Sequence, residues 1–141
     1  MDQTINSFTG DYEFLSLEYP CEIKYEGIVF KNAATLLYAL KSNDVGSMRK
    51  YARLSPFKAR QKASKENNAF YDANFEDYVR KVCKLKFSQH ENLVNKLKNT
   101  YPFTLINILK YNDTKLGLYM GKGKNILGKV LTDIREELQN H

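Results

Sequence analysis

The chain has few of the residues that usually build metal sites and disulfide frameworks. Its 141 residues include two cysteines and two histidines, and Cys21 and Cys83 lie far apart without a CxxC spacing. Structural zinc sites need four ligands, mostly Cys and His, at short spacings, so a zinc site built from the expected ligands is excluded. We predict no metal and no cofactor, and both cysteines are predicted to be small core residues.

Long apolar runs are also missing. The first four residues are mostly polar, and no segment approaches the length of a signal-peptide core or a membrane span. The sequence therefore predicts a soluble protein of a reducing cytoplasm, with no membrane partner.

Basic residues outnumber acidic ones by 22 to 16, which gives a formal net charge of +6 and favours anionic partners in general. The lysines are spread through residues 24 to 129 without a block of five. We therefore favour a solvated basic surface over a nucleic-acid groove, and no specific nucleic acid is predicted as a partner. A length of 141 residues fits a single domain, predicted to span 1–141.

Local patterns predict a mainly helical α+β domain with a short N-terminal hairpin and one late strand. Glu26-Gly27 separates two apolar triplets, which is typical of a tight hairpin. Apolar residues at spacings of three and four, together with capping residues, predict the helices. The predicted elements after the hairpin are helices over 32–41, 44–52 (capped by Asp44), 55–65 (capped by Ser55) and 72–87, a helix carrying Leu93 and Leu97 after a capping box at 88–91, a buried strand from Phe103 to Leu109, and a helix whose buried stripe runs from Ile126 to Leu138.

The run from Gly121 to Gly128 predicts an anion site, because it precedes an amphipathic helix. A helix N-terminus presents unpaired N–H groups and the positive end of the macrodipole, which stabilise a phosphate or carboxylate. Lys122 and Lys124 add charge, Gly123 lets the backbone approach a ligand, and the Asn125 amide can bond the ligand or cap the helix. The commoner alternative is a turn that merely starts the helix. The run is not a Walker loop, because no Ser or Thr follows the lysine.

A series of short motifs extends over residues 5 to 138, and each motif is weak alone. In order they are Phe14-Leu15-Ser16, Tyr19-Pro20-Cys21, Tyr25-x-Gly27, Lys41 at the end of the first helix, Ser55-Pro56, Lys86-Phe87, Thr100, Gly117, Gly123-x-Asn125-x-Leu127-Gly128 and Arg135. Their order resembles the NADAR (YbiA-like) family, named for NAD and ADP-ribose. The resemblance implies a mainly helical single domain with a pocket for phosphorylated ribosides. In characterised branches it implies cleavage of a C–N bond, either in riboflavin-pathway intermediates or in ADP-ribosyl adducts.

The acidic positions of the family are missing. Where the family has Ser-x-Glu-His, the chain has Asn32 to Thr35, so Ala34 replaces the acid. The family's late glutamate falls at Ile108, or at Asn107 if the register shifts by one residue. Hydrolysis of a glycosidic C–N bond needs a group that activates water, which a carboxylate supplies. The resemblance therefore implies a member without catalytic residues.

The resemblance also assigns candidate binding residues. Lys41 is predicted to reach a phosphate, the alternative being a solvated lysine at a helix end. Tyr71 stands at a family tryptophan position and Tyr38 at a glutamine position, and each can stack on the ligand or simply pack. Asp113 is the remaining carboxylate at a family-like position, although a turn role is commoner. Arg135 is expected to pair with a neighbouring acid.

These observations predict a protein that binds and sequesters an ADP-ribose-like or other phosphorylated nucleoside without turnover. A Lys, Asn, Ile and Tyr bias motivates a phage origin, in which case the protein would act in the host bacterial cytoplasm on a signal of the defence system. One alternative is an N-glycosidase whose acid has moved to Asp113 or Glu18. Another is a structural or protein-binding remnant whose pocket is filled by Tyr38 and Leu116. The identity of the base, a cyclic or linear ligand and the oligomeric state stay open.

Overall fold

The computed structural model describes residues 3–109, 113 and 115–140. They fall into two compact units: unit 1 comprises the described residues of 1–16 and 90–141, and unit 2 comprises residues 17–89. The predicted mainly helical α+β fold is confirmed. A single domain over 1–141 stays a prediction.

The regular elements are mostly helices, joined by short strands. In chain order they are β1 (Thr4–Ile5), a 3-10 helix (Gly10–Leu15), β2 (Ile23–Tyr25), β3 (Ile28–Phe30), α1 (Ala33–Ala39), α2 (Val45–Arg49), α3 (Pro56–Ser64), α4 (Ala69–Ala73), α5 (Phe75–Ser88), α6 (Glu91–Lys98), β4 (Thr104–Leu105) and α7 (Ile126–Gln139). β1 pairs with β4 in parallel, in unit 1, and β2 pairs with β3 as an antiparallel hairpin, in unit 2.

The β2–β3 hairpin turns as the sequence predicts. Glu26 and Gly27 have φ values of 51° and 74°. Two consecutive positive φ angles are the requirement of a type I′ turn, whose twist matches that of the strands. Gly27 adopts this conformation without steric cost, which accounts for the Tyr25-x-Gly27 motif.

Side-chain caps start α1, α2, α3 and α4 in unit 2. Asn32, Asp44, Ser55 and Asn68 each accept a hydrogen bond from the backbone amide three residues further on. These bonds satisfy amides that have no partner within the helix. The helix starts predicted at Asp44 and Ser55 are thereby confirmed.

Two predicted helix boundaries are wrong. The helix expected over 72–87 is divided at Asn74, whose Nδ2 donates to the Phe70 carbonyl at 2.9 Å and so competes with the helical backbone bonds. The capping box expected at 88–91 does not form, because the Ser88 hydroxyl donates back to the Leu85 carbonyl at 3.0 Å. α6 instead follows His90, which makes no side-chain cap bond.

The late strand is shorter than predicted. Of the run from Phe103 to Leu109, only Thr104 and Leu105 form a strand, and Ile108 makes an isolated bridge to Leu118. Ile108 is 50% exposed. A fully buried strand at this position is therefore wrong.

Each unit has a helix at the centre of its packing. In unit 2, α1 packs against α3 and α5. In unit 1, α7 packs against α6 and β4. The predicted apolar stripe of α7 is buried except at its end, where Leu138 is half-buried. Its buried members are Ile126, Leu127, Val130, Leu131 and Ile134.

Candidate functional site

Lys41 follows the C-cap of α1 in unit 2, and its side chain is only 14% exposed. Its Nζ lies 3.9 Å from Oδ1 of Asp72, whose side chain is 56% exposed. The alternative of a solvated lysine is therefore wrong. A pair of this length with one exposed partner contributes about 0 to 1 kcal/mol. An anionic ligand can therefore compete with Asp72 for the ammonium at low cost.

Tyr71 packs inside unit 2. Its hydroxyl donates to the Leu37 carbonyl at 2.7 Å. Its ring centroid lies 5.8 Å from that of Phe75 and 4.7 Å from that of Tyr78. Burial raises the pKa of the Tyr71 hydroxyl far above its usual range. Tyr71 therefore has the packing role, one of the two roles predicted for it. Tyr38, on α1, is half-buried, and its stacking on a ligand stays a prediction.

A carboxylate that the sequence analysis missed, Glu66, lies in a hydrogen-bond cluster of unit 2. It accepts bonds from the Ser42 hydroxyl at 3.1 and 3.0 Å and from the Tyr51 hydroxyl at 2.6 Å. Burial, reinforced by Glu66, raises the pKa of Tyr51 well above its usual range. Glu66 is the one acidic residue between Asp44 and Asp72 in the sequence, a signal that could have identified it. Both carboxylate oxygens accept hydrogen bonds from side chains of the same unit, so Glu66 has a structural role here.

Lys86, from the Lys86-Phe87 motif, is buried between aromatic rings in unit 2. Its Nζ lies 5.6 Å from the Tyr19 ring centroid and 5.4 Å from that of Phe87. Burial lowers the pKa of Lys86. Burial raises the thiol pKa of Cys21, and it raises the thiol pKa of Cys83 to about 12. The charge of Lys86 opposes both shifts. Neither thiol is activated; Cys83 is the predicted core residue, whereas Cys21 is half-buried.

In unit 1, the first amides of α7 already have partners. The N–H groups of residues 125–127 donate to the carbonyls of residues 115–117, at 2.9 to 3.4 Å. The prediction that these amides are unpaired and ready for an anion is therefore wrong. Lys122, Gly123 and Lys124 are exposed. Binding by these three residues stays a prediction, which now depends on the charge of the two lysines.

Asn125 joins α7 to the segment around β4. Its Oδ1 accepts a hydrogen bond from the backbone amide of Asn107 at 2.9 Å, and its Nδ2 donates to the Leu105 carbonyl at 3.1 Å. The predicted side-chain cap of α7 is absent, so that role is wrong. A Cβ on Gly128 would overlap the Leu105 carbonyl oxygen and the Asn125 amide. The Asn125-x-x-Gly128 spacing therefore serves close packing in unit 1.

Asp113 and Gly117 shape the turn before the last helix. Oδ1 of Asp113 accepts from the amides of Lys115 and Leu116, each at 3.0 Å, as an Asx turn does. A Cβ on Gly117 would overlap the Asn107 carbonyl oxygen. Asp113 therefore has the turn role weighed for it, and any ligand contact stays a prediction.

No carboxylate occupies the positions where the family acids were expected. Ala34 is 4% exposed on α1, whose first turn contains no acidic residue. At the late position, Ile108 is exposed, whereas Asn107 is buried and its Nδ2 donates to the Leu116 carbonyl at 3.3 Å. Both register alternatives therefore lack an acid.

Arg135 forms a buried bridge within unit 1. Its Nη1 donates to the Thr100 hydroxyl at 2.9 Å, and its guanidinium carbon lies 5.7 Å from the Tyr101 ring centroid. Burial lowers the pKa of Arg135. The predicted pairing with a neighbouring acid, such as Asp133 or Glu136, is wrong, because the guanidinium contacts Thr100 and Tyr101, which follow α6, instead.

The described residues contain no cluster of three His, Cys, Asp or Glu side chains suited to a metal. Within the same ranges, no helix is long and apolar enough to cross a membrane. Unit 1 also has a surface groove of about 500 Å³ that contains none of the predicted binding residues. It is lined by Gln3, Thr4, Ile5, Asn6, Ser7, Thr9, Tyr12 and Phe103.

Comparison with known proteins identifies the family. Residues 4–139 match the NADAR domain. The chain is 30% identical over 152 aligned positions to a riboflavin biosynthesis protein of Vibrio vulnificus (strain YJ016), covering 100% of this chain and 40% of that protein. The NMR structure of the E. coli protein YbiA matches with a TM-score of 0.84 and 28% identity, over 99% of this chain and 88% of that chain. The chain therefore belongs to the NADAR family, and its membership indicates an N-glycosidase-like or nucleotide-related role.

Proposed function

We propose that this chain binds an ADP-ribose-like or other phosphorylated nucleoside and holds it without turnover. The observation that carries the proposal is a contrast along α1. The helix has a buried methyl group at Ala34, where the family has an acid, and the enclosed ammonium of Lys41 follows its end. The helix therefore keeps a charge that can bind phosphate but lacks the group that would activate water.

The missing acids support binding without hydrolysis. General acid–base assistance contributes about 10² to 10⁴ in rate. Ala34 has no proton to transfer, and neither Asn107 nor Ile108 can act as a base at neutral pH. Glu66 does not replace them, because its oxygens accept bonds from Ser42 and Tyr51.

Phosphate recognition is assigned first to Lys41. Its ion pair with Asp72, at 3.9 Å, is weak enough to be exchanged for a phosphate. In unit 1, Lys122 and Lys124 are exposed cations that can by themselves attract an anionic ligand. Tyr38 is proposed to stack on the base or ribose, as aromatic side chains commonly do.

A protein that captures a nucleotide without consuming it lowers the free concentration in proportion to its own abundance. Such a protein can act in the cytoplasm as a sink for a nucleotide signal. A phage product that captures a signal of bacterial defence is one setting, motivated by the Lys, Asn, Ile and Tyr content of the chain.

Titration calorimetry with NAD, ADP-ribose and cyclic ADP-ribose isomers tests binding, and chromatography of the recovered ligand tests turnover. We expect heat from at least one compound and stoichiometric recovery of that compound. Multiple turnovers would instead show that the protein is an N-glycosidase. If turnover is then lost in Asp113→Asn or Glu18→Gln, the substituted residue is the displaced acid. Silence across the panel would leave the nucleotide reading without support.

Asp72 offers a sharper test of the phosphate contact. Asp72→Asn removes the competing carboxylate and should tighten binding, whereas Lys41→Met should weaken binding roughly tenfold or more. Glu76→Gln is the matched control, because it removes an acid from a different ion pair, with Arg80 at 3.3 Å. If all three variants bind like the wild type, the phosphate site lies elsewhere.

The second candidate function is a structural or protein-binding remnant. It is favoured by the packing of Tyr71 and the burial of Leu116, both of which use pocket positions of the family for contacts within a unit. The calorimetry separates the two, since a remnant gives no heat with any nucleotide.

A further inference from the structure

The positive charge of the chain is concentrated in one segment, residues 45–65, called the basic segment below. It contains seven of the 22 basic residues and none of the 16 acidic residues. In the rest of the chain, 15 basic residues face 16 acidic ones. The basic segment therefore accounts for the whole positive excess of the protein.

The fold leaves most of these charges exposed on α2, α3 and the turn between them in unit 2. The segment forms α2, a turn and α3, and α3 buries Ala59 and Ala63 against α1. Lys62 lies over the Tyr51 ring, 5.4 Å from its centroid. The other basic side chains are exposed: Arg49, Lys50, Arg53, Lys58, Arg60 and Lys65.

An exposed aromatic ring accompanies these charges. Phe57, in the first turn of α3, is 68% exposed. It shares a helix face with Arg60, Gln61 and Ser64, which follow it by three, four and seven residues. A solvated basic face does not need an exposed phenyl ring, whereas single-stranded nucleic acid binds to surfaces that combine cations with aromatic rings.

A lipid surface fits the basic segment less well. Helices that lie on membranes present a broad apolar face, often with aromatic and leucine side chains. In α3 the small apolar side chains of Ala59 and Ala63 face α1, so Phe57 is the one large apolar side chain it exposes. One ring suits a stacked base better than a bilayer.

We propose that the basic segment binds single-stranded nucleic acid without sequence preference. The arginine and lysine side chains contact phosphates, and a base stacks on Phe57. The site is separate in sequence from Lys41 and the other residues of the proposed nucleotide site, so either proposal can fail alone.

Fluorescence anisotropy with a labelled oligo-dT of about twenty nucleotides, at several salt concentrations, tests this proposal. The charge-reversal variant Arg53→Glu/Lys58→Glu/Lys65→Glu should lose at least about a hundredfold in affinity, and its salt slope should fall by about 2, since each single-strand contact contributes about 0.7. The matched control reverses three exposed lysines outside the segment: Lys24→Glu/Lys31→Glu/Lys129→Glu. It should retain clearly more affinity and most of the slope.

Phe57→Ala tests stacking without changing charge or core packing. We expect a roughly tenfold loss of affinity with an unchanged salt slope. Thermal melting and ADP-ribose titration of each variant check that the fold and the nucleotide site persist. Should the charge-reversal variant fail to fold, Lys58→Gln/Lys65→Gln takes its place.

Three outcomes would overturn the proposal. The wild type could fail to bind the oligonucleotide at near-physiological salt, or the control could lose as much affinity as the charge-reversal variant. Alternatively, phosphatidylserine vesicles could bind as tightly as the oligonucleotide while Phe57→Ala changes neither, which would assign the segment to anionic lipid.

Discussion

Unit 1 and unit 2 differ in how three of the family-motif residues, Asn125, Arg135 and Lys41, are used. In unit 1, Asn125 and Arg135 direct their polar atoms to other parts of the same unit. Gly117 and Gly128 are required there because a carbonyl oxygen stands where a Cβ would project. In unit 2, by contrast, the motif residue Lys41 ends in an ammonium whose ion pair is weak. A retained motif residue can therefore serve packing in one region and keep a weakly paired charge in another.

This difference bears on how a divergent family member is interpreted. The glycine-rich run in unit 1 carries the most conspicuous sequence pattern, yet its amides and its asparagine are occupied. Its persistence is explained by the fold, whether or not a ligand binds. Lys41 is less conspicuous in sequence, but its charge takes part in a weak ion pair with the exposed Asp72.

The largest expected effect tests the glycines of unit 1. Gly117→Ala and Gly128→Ala should each lower the free energy of unfolding by more than about 3 kcal/mol, because backbone would have to move. Gly46→Ala is the control, since its Cβ would meet only a side-chain oxygen of Asp44, at 3.2 Å, and should change stability by less than about 1 kcal/mol. Urea unfolding measures all three. Equal effects at the three sites would contradict the packing explanation.

The next effect concerns Asn125. Asn125→Gly keeps the φ of 48° accessible but leaves the Asn107 amide and the Leu105 carbonyl without their partner. We expect a loss of about 2 kcal/mol in unfolding free energy. Asn125→Asp retains an acceptor for the Asn107 backbone amide. Its unfolding free energy should lie between those of the wild type and Asn125→Gly. A variant of wild-type stability that no longer binds ADP-ribose would instead make Asn125 a ligand residue and weaken the comparison.

A smaller effect is expected in unit 2 at Tyr71. Tyr71→Phe removes the hydrogen bond to the Leu37 carbonyl and keeps the ring contacts. The cost should be about 1 kcal/mol. Nucleotide affinity should stay unchanged, because the hydroxyl serves packing. A fall in affinity without a fall in stability would place Tyr71 at the ligand.

The smallest stability effect is expected at Lys41. Lys41→Met removes an ion pair of 3.9 Å, and its unfolding free energy should change by less than about 1 kcal/mol. Thermal and urea unfolding measure this change beside the binding loss expected above. If Lys41→Met were as destabilising as Asn125→Gly, Lys41 would also be a structural residue. That result would contradict the difference between the two units.

Local sequence predicted what depends on neighbouring residues. The caps at Asp44 and Ser55, the Glu26-Gly27 turn and the stripe of α7 are each decided within a few positions. Such features follow from backbone conformation and helical periodicity, so they can be inferred before the structure is known.

Predictions failed where distant residues decide the outcome. The Asn125 amide bonds with residues 18 and 20 positions earlier, and Arg135 with Thr100, 35 positions earlier. Sequence offered only local partners, such as the amides of the helix start or the acids beside Arg135. The candidate anion site is affected most, because local sequence does not indicate the carbonyls of residues 115–117 that pair with its amides.

The pairing of β1 with β4 has a consequence for synthesis on the ribosome. It joins Thr4 to Thr104 and Ile5 to Leu105. The first strand must therefore wait until about a hundred further residues have been translated, and closing so long a loop carries a large entropic cost. Residues 17–89 form their own compact unit and are complete well before that. We therefore expect vectorial folding, in which the middle of the chain becomes structured first and the N-terminal strand last acquires its partner.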